Sequence, residues 1–153
     1  MRIFLKHYLP AFAMICAFTS VAFSSQEKHI ALVKALSIYD YPVTRERLIK
    51  SVTENGLTLF GEFDHAKAAR DAGLAMPPTT VLIFGNPKGG TPLMLAHPDL
   101  ALDLPFRVLI SQQQDGQVIV SFHQAEEFQR YGLNSASLQP LIKLELLVQK
   151  SIQ

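Results

Sequence analysis

The sequence predicts an α+β domain: a two-layer α/β sandwich in which a mixed sheet of about five strands carries helices packed on it. Three observations predict this. Short β-branched and aliphatic runs recur along the chain as strand candidates. Apolar stripes at helical spacing alternate with them. Two in-phase alternating runs meet at Asp115-Gly116, a strong hairpin signal. A hairpin together with crossover helices implies a mixed sheet covered by helices.

The chain has 153 residues, of which 48% are hydrophobic and 18% charged. That suits one domain and is too apolar for disorder. Fourteen basic residues stand against thirteen acidic ones, so no basic excess points to nucleic acid. The single cysteine, Cys16, excludes a disulfide framework and a cysteine-based zinc site.

Residues 1–24 read as a signal peptide and 25–153 as one domain. Arg2 and Lys6 open the leader, and Tyr8 to Phe23 forms its apolar part, too short to span a bilayer comfortably. Ala22 and Ser24 supply the small residues that a signal peptidase reads. Ile15 before Cys16 is too bulky for a lipoprotein site. The expected location is periplasmic or secreted, with no membrane span once the leader is removed.

Within the domain, Ile30 to Ile38 is the first strand, stopped by Pro42. Thr44 caps a helix from Arg45 to Asn55, with Val43 and Leu48 as a hydrophobic staple and Gly56 as the stop. Leu57 to Phe63 is the second strand. Asp64 caps a short helix, His65 to Ala72, closed by Gly73. Thr80 to Phe84 is an unbroken apolar run, the pattern of a strand covered on both faces. Gly85 to Gly90 is a turn-rich loop, after which Thr91 caps a helical turn. Phe106 to Ser111 and Gln117 to Phe122 form the hairpin, burying Val108, Ile110, Val118 and Val120. Asn134 to Ser137 caps the last helix, whose Leu138, Leu141, Leu144, Val148 and Ile152 face the sheet. Pro140 is placed in its first turn.

Several of these runs resemble the bacterial domain of unknown function 302 family. They include Phe63-Asp64-His65-Ala66-Lys67-Ala68-Ala69, Pro77-Pro78-Thr79 and, most specifically, Ile83 to Met94. Asp103-Leu104-Pro105, Val118 to Phe122 and Arg130-Tyr131-Gly132-Leu133 continue the likeness. The resemblance implies a two-layer α/β domain, commonly a homodimer, with no established activity.

The leading candidate site is the Gly85–Thr91 loop. It follows an apolar strand and precedes a helix start, a position from which backbone N–H groups face an anion. Gly85, Asn86, Lys88, Gly90 and Thr91 are its candidate ligand-binding residues, with Lys88 as a point charge. Gly85 and Gly90 share the spacing of a phosphate loop, yet Lys-Ser/Thr does not follow the second glycine, which argues against a nucleotide triphosphate. Asp64 and His65 are the second candidate, a capping carboxylate beside an imidazole in the first helical turn. The expected function is an exported domain binding a small polar or anionic ligand. One alternative is a hydrolase-like enzyme with His65 as general base and Lys88 stabilising negative charge. Another is an assembly homodimer without a ligand. The histidines lack metal-ligand spacing, so no metal is expected, and no cofactor is implied.

Overall fold

The computed structural model describes residues 32–153. The expected signal peptide and the start of the expected first strand lie outside the described residues. The elements run β1 (Leu32–Leu36), α1 (Tyr41–Glu54), β2 (Thr58–Asp64), α2 (His65–Asp71), β3 (Thr79–Gly85), α3 (Pro87–Ala96), β4 (Phe106–Gln112), β5 (Val118–His123) and α4 (Ser135–Ser151). Two 3-10 segments, Pro98–Leu102 and Ala125–Tyr131, flank the hairpin.

The fold is α+β with helices on a five-stranded sheet, as the sequence predicts, but the sheet is antiparallel throughout rather than mixed. Its order is β1-β5-β4-β3-β2, and each neighbouring pair is antiparallel. The helices after β2 and β3 return the chain to an adjacent strand running the other way. They therefore do not make the parallel crossovers that a mixed sheet needs. Only α1 carries the chain across the sheet, from one edge strand to the other.

One face of the sheet builds the core. Leu82, Phe84, Phe106, Val108, Ile110, Val118, Val120 and Phe122 are all buried there. They meet Leu48 and Val52 of α1, and Leu138, Leu141 and Val148 of α4, with Ile152 just beyond. Phe106 lies between Phe84 and Phe122, with ring centroids 5.8 and 5.9 Å away in tilted packing. Among the described residues the other face has no such cover. Val81 and Ile83 alternate with the buried residues and are only half-buried, so β3 is not enclosed on both sides. A two-layer antiparallel sheet permits this, because its second face can remain open to water.

Local chemistry sets the helix ends. Asp40, not Thr44, caps α1, its side chain accepting from the Val43 N–H at 3.0 Å. Pro42 fits the first helical turn, where no N–H is needed, and so it starts the helix rather than merely ending the strand. Thr44 is thereby carried inside α1, buried and hydrogen-bonded to the Ser37 hydroxyl at 2.7 Å. Val43 is 39% exposed, so no staple forms. Gly56, at φ +68°, closes α1 as expected. Its N–H donates to the Thr53 carbonyl and that of Leu57 to Val52, a Schellman pair. Asp64 caps α2 and Asn134 caps α4, each donor residue lying three positions on. Pro140 is the sixth residue of α4, beyond its first turn.

Candidate functional site

The expected loop is itself helical. Asn86 ends the extended chain leaving β3 and caps α3, its side-chain oxygen accepting from the Lys88 N–H at 2.9 Å. The N–H groups of Gly89 and Gly90 donate to the Asn86 carbonyl at 3.0 and 2.8 Å. Three amides expected to greet an anion are thus already occupied by the protein's own oxygens. Thr91 lies inside α3 and does not cap a later turn.

A hollow nevertheless opens beside this turn. The cleft has a volume of about 370 Å3. Gly85, Asn86, Pro87, Gly89 and Gly90 form one wall, extended by Leu93 and Met94 of α3. Leu104, Pro105 and Phe106 form the second, where the chain enters β4 through a cis Leu104–Pro105 bond. Pro140, Leu141, Leu144 and Leu147 of α4 form the third, with Lys143 beside them. Asn55, Leu57 and Phe60 complete the lining. Phe60 reaches it because β2 is irregular between Leu59 and Gly61, and a bulge re-aims the side chain it carries. The surface is mainly apolar with few polar groups, and its size falls in the ordinary range of small-molecule sites.

Gly85, Asn86 and Gly90 therefore line the cleft, whereas Lys88 and Thr91 do not. Asp64 and His65 are elsewhere. Asp64 pairs with Thr80 at the start of β3, while Gly85 ends that strand and pairs with Thr58. Five residues of strand separate the two ends, about 17 Å at ~3.4 Å per residue. The structure thus does not bring His65 and Lys88 into one cleft. At the Asp64 end, its carboxylate accepts from the Lys67 N–H at 2.7 Å, and His65 is exposed. Nearby, Tyr41 donates to the Thr80 hydroxyl at 2.6 Å. Burial pushes the Tyr41 phenol above its usual range, against the pull of that hydrogen bond.

A second cluster holds the β4 wall. Asp103 accepts from Tyr131 and from Arg130, joining the approach to β4 to the Ala125–Tyr131 segment. Burial on its own would raise the Asp103 pKa. The two hydrogen bonds and the positive charges of Arg130 and Arg107 outweigh it and hold the carboxyl below its ordinary value. Among the described residues, no three His, Cys, Asp or Glu side chains gather as a metal site. No helix there is long and apolar enough to cross a membrane.

Sequence reading missed Phe60, Lys143, Leu147 and the Leu104–Phe106 wall. One signal was present. Leu141, Leu144 and Leu147 widen the apolar arc of α4 beyond what one sheet face needs.

Comparison with known proteins places these features in a family. The chain is 39% identical over 87 residues to the protein named Fluoride-specific ion channel FluC 1 of Brucella suis biovar 1 (strain 1330), covering 57% of this chain and 34% of that protein. It has the same identity to Fluoride-specific ion channel FluC 2 of Brucella melitensis biotype 1, covering 57% of this chain and 32% of that protein. The chain spans about a third of the length of these relatives. A crystal structure of an uncharacterized conserved DUF302 protein from Bacillus stearothermophilus superimposes with a TM-score of 0.66 at 16% identity. That match covers 79% of this chain and 94% of the other, and at such identity it shows the fold. Residues 33–150 match the family described as Domain of unknown function DUF302, and the chain belongs to that family.

Proposed function

We propose that this DUF302 domain is exported and binds a small, largely apolar ligand in the cleft beside the end of β3. The cleft itself carries the reading: about 370 Å3 of concave surface walled by Gly90, Leu93, Leu104, Leu144 and their neighbours. The cleft adjoins the expected Gly85–Thr91 turn, whose candidate residues Gly85, Asn86 and Gly90 line it, and the ligand class differs from the expected anion. With the turn amides bonded internally, binding rests on apolar contact, and a bare inorganic anion loses its donors. Export rests on the leader pattern of Arg2, Lys6 and the following apolar stretch. N-terminal sequencing of protein from the cell envelope tests it, and a chain that still begins at Met1 in the cytoplasm would end that part.

Titration of labelled protein followed by NMR tests the site. Octanol should shift the amides around Gly85–Gly90 and Leu141–Leu147, and phosphate and fluoride should not. Fluoride belongs in the series because the Brucella relatives are named for it. Gly90→Leu should abolish the octanol response, since an added Cβ meets nothing nearer than Met94 Cε at 3.9 Å and the rest of the side chain fills the hollow. Shifts produced by fluoride or phosphate but not octanol would overturn the apolar reading.

A second reading, a homodimer, is favoured by the open sheet face. Leu32, Leu36 and Phe63 are 46%, 53% and 57% exposed on that side. Apolar groups exposed on one sheet face, here along both of its edges, fit an association surface. Sedimentation should give twice the chain mass, and Leu36→Lys should return the monomer. A parent protein that stays monomeric at high concentration would exclude it.

A further inference from the structure

We propose that the ligand is an amphiphilic carboxylate of medium chain length, its tail in the cleft and its head against Lys143; this rests on the apolar-cleft reading above. Four observations select that chemistry. Lys143 is the one charged residue lining the cleft among the described residues. It is exposed and has no ion-pair partner among them, so its charge is uncompensated beside the cleft. Asn86 uses its side-chain oxygen to cap α3, which leaves its NH2 group, a pure donor, without a partner among the described residues. The N-terminal, partially positive end of α3 forms that same wall. Asn55, also in the lining, donates its NH2 to the Ser51 carbonyl at 2.8 Å, which leaves its side-chain oxygen as an acceptor. The two side-chain amides thus balance, one free donor against one acceptor, and Lys143 makes the net charge of the lining positive around an apolar interior.

Size is consistent with a medium chain. At about 370 Å3 the cleft lies at the small end of ligand sites, which suits an acid of about eight to ten carbons with its carboxylate at the mouth. Phosphate esters share the charge, but a head of five atoms and a second negative charge suits one lysine and one amide less well than a carboxylate does.

Calorimetric titration of the purified protein with octanoate, octanol and octylamine tests the assignment. Octanoate should bind about tenfold more tightly than octanol, the gain of one charge-assisted contact at a partly wet rim. Octylamine should bind more weakly than either. Lys143→Gln should collapse the octanoate-to-octanol affinity ratio from about ten to about one, which a merely structural lysine would not do. Equal affinity for octanoate and octanol, or tightest binding of octylamine, would overturn the carboxylate assignment while the apolar cleft stands. Absence of binding by all three would overturn the cleft reading and this inference together.

Discussion

Glu145 and Asp103 are two carboxylates displaced in opposite directions by their surroundings. Burial raises the Glu145 pKa, against the hydrogen bond it accepts from the Ala125 N–H, and Glu126 adds to the rise. Its folded form therefore holds the proton more tightly than the unfolded chain does. Ionisation costs stability, and that cost grows as pH rises from the ordinary glutamic pKa through the raised one. Glu145→Gln keeps an oxygen acceptor and removes the charge. The variant should melt higher than the parent at neutral pH, with the gap narrowing in acid. Asp103 behaves conversely: its lowered pKa contributes stability above the ordinary aspartic value, lost as pH falls through the lowered one. Asp103→Asn should cost about 1 kcal/mol at neutral pH, with the deficit also shrinking in acid. One series of melting curves against pH measures both. Gly132 is a third position where the residue type is fixed. Its φ is +87°, and an added Cβ would stand 3.3 Å from His97 Cε1. Gly132→Ala should lower stability by about 1–2 kcal/mol in denaturant titration.

Elements were legible where local chemistry decides them. Gly56 and Gly73 end their helices, Asp64 and Asn134 start theirs, and the Asp115-Gly116 hairpin pairs Val118 with Gln112. These signals act within a few residues, so sequence spacing carries them. The failures came where a motif admits two local solutions. Asp40 and Thr44 are both capping residues around Pro42, and the buried Ser37–Thr44 hydroxyl pair decides between them. The glycine-rich turn after β3 fits either an anion nest or a capped helix. Asn86 decides that case by occupying the Lys88 amide. Asn86→Ala should therefore cost about 1 kcal/mol by loss of the cap, read as a lower midpoint in urea.

At the scale of the molecule, strand direction was the least legible property. The expected cluster of His65 with Lys88 required two strand ends to coincide. Antiparallel pairing of β2 with β3 sends them to opposite ends. The cleft was hidden for a related reason. Its walls come from β2, α3, the entry to β4, and α4, and only tertiary packing joins them. The core depends on the aromatic row of Phe84, Phe106 and Phe122, which ties β3, β4 and β5 under the helices. Phe106→Ala should cost about 3–5 kcal/mol in equilibrium unfolding, because neighbours on both sides lose contact.

The first strand also has a long wait. Among the described residues its one partner in the sheet is β5, with Leu32 opposite His123, a loop of roughly 90 residues to close. During synthesis β1 lacks this partner until β5 has emerged. A sheet wired in this way closes late, because the pairing that completes it joins the two strands most distant in sequence.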